Sequence, residues 1–142
     1  MWWTYALLSA LFAAFTAILA KIGIKGVNSD LATAIRTVFI LCIAWGIVVA
    51  RKEIDGIHLL SKNNWVFLGL SGVATGLSWI CYFKALQLGK VSQVAPVDKM
   101  SVAIAIILSA LFLHEVLTWK ILMGALLIIG GSVPALSCMG MD

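Results

Sequence analysis

Charged side chains are scarce in this chain of 142 residues, at 11% of the sequence. So little charge cannot clothe a soluble domain of this length, which excludes a water-soluble globule. Cysteine is sparse too. Cys42, Cys81 and Cys138 make an odd number with no CxxC spacing, which excludes a disulfide framework and a zinc site and leaves three small hydrophobes expected to be buried. Enzyme signatures are missing. His114-Glu115 is not the start of HExxH because Thr118 stands where the second His belongs, and Gly69, Gly72 and Gly76 lack the Lys and Ser/Thr of a phosphate loop. No catalytic residue, metal or cofactor is expected. Internal repeats and low-complexity segments are absent as well.

Apolar residues are abundant, at 63% of the chain, and the mean hydropathy is +1.09. They gather into five stretches of about the 20 residues that a lipid-spanning helix needs. These run from Trp2 to Ile24, Leu31 to Ala50, Trp65 to Gln87, Val91 to Leu113 and Thr118 to Cys138. The connections are too short for a separate soluble domain. The expected fold class is an all-α membrane protein with five transmembrane helices in a single domain over residues 1–142. No basic residue precedes the first stretch and its apolar run exceeds the roughly 7 to 15 residues of a signal-peptide core, so it reads as a retained span.

Asn28, Ser29 and Asp30 precede the second span, Ser61, Asn63 and Asn64 the third, and Thr118 the fifth, all residue types that accept from free helix N-terminal amides. Gly89 is a suitable stop for the third. The longest connection, Arg51 to Asn64, reads as a solvated loop, with a short interfacial helix as the alternative.

With five spans the two termini lie on opposite faces. Trp2, Trp3, Trp45, Trp65 and Trp119 map to the face holding the N-terminus, as an interfacial aromatic belt would. Trp79 stands alone near the middle of the third span, where it packs in protein or faces a cavity. Lys21, Arg36, Lys84, Asp98 and Lys99 converge on the other face, and three of them, Lys21, Lys84 and Arg36, are long enough to snorkel. The net charge of +4 fits lipid headgroups and a polar path better than nucleic acid, which is not expected as a partner.

On the third span Gly69, Gly72 and Gly76 recur at spacings of three and four, a face that permits close backbone approach. Ala6, Ala10, Ala13, Ala17 and Ala20 do the same on the first. The glycine face continues through Thr75 to Trp79, Tyr82 and Phe83, aromatic surface suited to an organic or cationic ligand, or to packing on a neighbour. Ser92 to Ser101 is unusual for a span. Pro96 cannot donate its backbone hydrogen bond, and Asp98 and Lys99 cost several kcal/mol in lipid unless paired or hydrated. The stretch reads as a broken, polar helix beside water. Its plainer reading is a helix that begins near Pro96 with Asp98 in its first turn.

Ala85-Leu86 with Gly89, Val94-Ala95-Pro96, Leu111-Phe112-Leu113 with Glu115, and Gly124 through Gly130-Gly131 together resemble the EamA domain of the drug/metabolite transporter superfamily. The resemblance implies one five-helix half of a ten-helix inverted-repeat carrier in the cell inner membrane, exporting small metabolites or drugs, and a chiefly structural role for Glu115 near its loop. Family members usually carry Gly before that acid, where this chain has His114, so a different local turn is expected.

The expected function is a small secondary transporter subunit working as a homodimer by alternating access. Trp79, Tyr82 and Phe83 would line the cavity, Asp98 and Lys99 would supply polar contacts, and Arg36 and Lys84 would lend positive potential at its mouth. Asp98 is a candidate for proton coupling, since an intramembrane carboxylate titrates when desolvated. Pro96, Glu115, Gly69, Gly72 and Gly76 are the structural candidates. The expected partners are a small-molecule solute, membrane lipids and a second copy. Cations near the loops number four on the N-terminal face (Arg51, Lys52, Lys62, Lys120) and three opposite (Lys21, Lys25, Lys90), so neither face wins under the positive-inside rule and an antiparallel pair is favoured. A non-transporting membrane partner, one half of a hetero-oligomeric transporter and a lipid flippase are the rival readings.

Overall fold

A computed structural model describes residues 1–137, and every element among them is helical. Helix α1 is Trp2–Gly23, α2 Ser29–Ala50, α3 Lys62–Leu88, α4 Val91–Asp98, α5 Met100–Phe112 and α6 Trp119–Ser137. Four helices are long and apolar enough to cross a membrane, with α4 and α5 together as one of them, and Trp119–Ala135 is a shorter apolar helix. The last expected span is covered by α6 as far as Ser137, and Cys138, its expected end, lies outside the described residues.

The helix ends follow from local chemistry. Gly26 adopts φ 75°, a left-handed turn that glycine takes without a Cβ clash, and it directs the chain from α1 toward α2. Asn28 caps α2, its side-chain oxygen accepting from the Asp30 N–H at 2.8 Å. Ser29 and Asp30, expected before the helix, are its first two residues. Ser61 Oγ accepts from the Asn64 N–H at 3.3 Å, so α3 starts three residues earlier than expected and takes Asn63 and Asn64 into its first turn. Between α2 and α3 the chain makes a short 3-10 turn over Ile54–Leu59 in place of an open loop, after Lys52 takes φ 57°.

The fourth span is two helices. Pro96 does not start it, because α4 runs from Val91 with the Lys90 N–H bonded to Gln93 Oε1. The ring lacks the N–H that would bond the Ser92 carbonyl, and three residues later the helix breaks at Lys99. Asp98 thus ends a short helix; the expectation that it sits in a first turn is corrected. His114 adopts φ 53°, the left-handed conformation that glycine takes most easily.

Two compact units divide the chain, Ala20–Gln87 and Met1–Leu19 with Leu88–Asp142. In the first, Ile24, Ser29, Thr33, Phe83 and Leu86 are buried. In the second, α6 lies against α4 and α5, with Ala17, Val94, Ala103, Ala125 and Ser132 buried. Ser132 Oγ lies 2.8 Å from the Pro96 carbonyl and 2.7 Å from that of Ile128, so one hydroxyl ties α6 to the proline helix. Elsewhere hydroxyls bond back to their own helices, as from Thr16 to Phe12, Thr33 to Ser29, Thr37 to Thr33 and Thr75 to Ser71, each at 2.8 Å. This satisfies them where no water reaches.

Most of the apolar surface is uncovered within the chain, with only 6 to 11% of each long span's most apolar window buried. Lipid tails are as apolar as leucine, so such surface is stable in a bilayer and untenable in water. The chain is a multi-pass membrane protein. Cys42 and Cys81 are exposed, where burial was expected. A Cβ added at Gly69, Gly72 or Gly76 would meet nothing within 4 Å, so that face makes no close backbone approach inside the chain.

Candidate functional site

On α3, Trp79, Tyr82, Phe83 and Leu86 fall three or four residues apart and share one face. On α2 the same periodicity puts Ser29, Thr33 and Arg36 on one face, of which Ser29 and Thr33 are buried. These faces meet within the Ala20–Gln87 unit. The Arg36 guanidinium carbon lies 3.5 Å from the Trp79 ring centroid and 5.5 Å from that of Phe83. The rings brace one another: Trp79 and Tyr82 are 5.7 Å apart, nearly perpendicular at 87°, and Trp79 and Phe83 are 5.9 Å apart at 58°. Phe83 is buried, while Trp79, Tyr82 and Arg36 are half-buried.

A guanidinium on a Trp face gains about 2 kcal/mol or more when desolvated. Arg36 therefore does not stretch toward the membrane surface, as snorkelling would have it. It covers one face of Trp79 with the chain's own cation, so that face is closed to a cationic ligand.

Below the cluster, Gln87 is one turn past Phe83, and it borders a cleft of about 230 Å³ together with Lys21, Ile24, Lys25 and Gly26. Lys21 Nζ donates to the Leu86 carbonyl and Gln87 Nε2 to the Val27 carbonyl, tying the ends of α1 and α3 and the turn between α1 and α2 together. An ammonium at the last turn of α3 also suits the negative end of the helix dipole.

Of the expected site residues, Arg36, Trp79, Tyr82 and Phe83 are brought together. Lys84 is exposed and takes no part in the cluster. Asp98 and Lys99 belong to the other unit, where they pair with each other at 3.3 Å beside the break between α4 and α5. Pro96 offers its carbonyl to Ser132. Glu115 has no ion-pair partner among the described residues, and its backbone N–H reaches the Ser109 carbonyl at 3.4 Å, closing the His114 turn. Sequence reasoning passed over Gln87 and Ser132. Gln87 carried a signal, the Trp79–Phe83 spacing continued by one turn; Ser132, inside an apolar run, carried none. No group of three His, Cys, Asp or Glu side chains able to hold a metal occurs among the described residues.

Comparison with known proteins agrees with a membrane carrier. Residues 1–136 match the EamA-like transporter family. A protein of Sinorhizobium sp. named "Uncharacterized transporter in cobO 3'region" is 46% identical over 132 residues, spanning 93% of this chain and 94% of that protein. No solved structure matches.

Proposed function

The chain belongs to the EamA-like transporter family, and on that premise we propose that it is a non-enzymatic secondary transporter subunit moving a small organic solute across the cell inner membrane. The observation that carries the reading is the Arg36 guanidinium resting 3.5 Å over Trp79, with Tyr82 and Phe83 beside it, between two helices of spanning length. A charge and an aromatic patch so deep in apolar helices mark a solute path in membrane proteins. The aromatic cluster supplies apolar contact and the cation a polar one. Asp98 and Lys99 form a second polar position at a helix break, a feature that carriers use beside water, and Asp98 is the residue through which a proton would be coupled.

The working unit is a homodimer that alternates access between the two sides, each copy giving five spans, α4 and α5 counting as one, to an inverted pair. The small-residue face of Gly69, Gly72 and Gly76, which meets no neighbour inside the chain, is the surface that supports assembly with another copy. The same surface suits a different five-helix chain, the second reading, in which this protein is half of a hetero-oligomer.

A thermal-shift screen of small metabolites against the purified chain selects a ligand, and uptake of that ligand by liposomes holding this chain alone tests transport. Trp79→Ala should abolish uptake while melting falls by only a few degrees. A screen without ligands and liposomes without uptake would sink the homodimeric carrier, and uptake restored only by a second chain would move the reading to the hetero-oligomer.

A further inference from the structure

Arg36 holds hydrogen-bond donors that nothing among the described residues uses. A guanidinium presents five N–H groups around the edge of a plane. Here the plane faces Trp79 and Phe83, while no hydrogen bond or ion pair joins the edge to another described residue. Asp30, the acid on the same helix, accepts instead from Ser29 Oγ at 3.3 Å.

An arginine at the centre of a spanning helix costs roughly 2.5–3.5 kcal/mol on the most lenient scale, and Arg36, eighth of the 22 residues of α2, offsets its share through the two ring faces, which leaves the edge donors unanswered. What remains is an electropositive fork in an apolar setting, the arrangement that binds carboxylate or phosphate with two parallel hydrogen bonds. The approach has the same sign. The cleft one turn along α3 is lined by Lys21 and Lys25 and by no acid. With Lys21 turned to the Leu86 carbonyl, two cations mark the cleft and a third marks the cluster.

We propose that the solute carried by this protein is a small organic anion. Arg36 grips its carboxylate or phosphate group, and the exposed parts of Tyr82 and Trp79 take its apolar body. The inference rests on the carrier reading above and names its substrate class. A lipid phosphate offers the same chemistry as a free anion, so the test must part them.

The purified chain in a non-ionic detergent is melted with benzoate, benzamide and benzylamine, three probes of one shape and different charge, and separately with phosphatidylglycerol. Benzoate should raise Tm saturably, benzamide weakly and benzylamine not at all. Arg36→Lys, which keeps the charge but loses the fork, should weaken benzoate by about tenfold, and Arg36→Gln should remove its effect. Leu68→Ala, in the exposed half of α3 away from the cluster, should leave benzoate binding unchanged and controls for folding. Preference for benzylamine, equal response to all three probes, or no response to any overturns the anion assignment. So does an Arg36-dependent response to phosphatidylglycerol with none to benzoate, which gives the fork to lipid. Counterflow of labelled benzoate in liposomes separates the two claims: benzoate binding without counterflow overturns the carrier and spares the anion site, while counterflow of benzylamine spares the carrier and overturns the anion.

Discussion

The two halves of α3 live under opposite conditions. From Lys62 to Ser78 every residue is exposed within the chain, whereas beyond Trp79 the helix buries Phe83 to 3% and Leu86 completely. Both halves are apolar, so hydrophobicity does not separate them. What differs is the face at spacing three and four. In the first half it carries Gly69, Gly72 and Gly76, which reach no neighbour; in the second it carries Trp79 and Phe83, long enough to meet Arg36 of α2, and the buried Leu86, whose backbone carbonyl accepts from Lys21. In lipid, helices associate through packing and hydrogen bonds and gain nothing from excluding water, so contact forms only where side chains bridge the distance.

The sharpest way to break that contrast is at Leu86. Leu86→Ala should lower stability by about 2–4 kcal/mol, since it empties a site with no exposure left. The equivalent cut in the open half, Leu68→Ala, removes a side chain that is 60% exposed and should cost less than about 1 kcal/mol. Thermal melts in one detergent compare them directly, and equal losses would mean that α3 is covered along its whole length.

The other unit carries a closed contact of its own, and it hangs on one hydroxyl. Ser132→Ala leaves the Pro96 carbonyl without the α6 donor and should cost roughly 1–2 kcal/mol. Ser132→Thr keeps the hydroxyl and should recover most of it. A loss shared equally by both variants would mean that the site is limited by volume and that the bond adds little.

How far the sequence reveals this arrangement depends on the range of the interaction. Apolar length located the four helices of spanning length, and local chemistry located Asn28 as a cap and Gly89 just past the end of α3. The grouping of Trp79, Tyr82 and Phe83 follows from helical periodicity. The seat of Arg36 on that group was not legible, because it depends on the register of α2 against α3, which no local pattern encodes. The break at Lys99 was displaced from Pro96 because a proline spoils the bond behind it and leaves the next turn free to continue. Cys42 and Cys81 misled through their type: cysteine is commonly buried in soluble cores, but in a bilayer an apolar thiol is equally content facing lipid.

A smaller effect comes from the loop at His114. A non-glycine residue held at φ 53° costs about 1 kcal/mol or more relative to glycine, so His114→Gly should raise stability by roughly that amount. The same replacement at Lys52, with φ 57°, should give a similar gain. A fall in Tm at His114 would show that its ring makes a contact worth more than the strain.

The smallest effect on the single chain, and the most telling for its assembly, is expected at Gly72. Nothing within 4 Å meets a Cβ added there, so Gly72→Ala should be harmless to the fold and, by reducing backbone freedom, should raise the stability of an isolated chain by a few tenths of a kcal/mol. A homodimer that uses the glycine face makes the opposite demand. Two backbones in close approach leave no room for a methyl on each, and small-residue faces in membranes lose affinity when one is enlarged. Gly72→Ala should therefore raise the melting temperature of dilute, monomeric protein slightly while weakening self-association by about tenfold, read as lost energy transfer between labelled copies in micelles. Unchanged association with the small gain in stability would assign this half of α3 to lipid, and the second copy would have to meet the chain elsewhere.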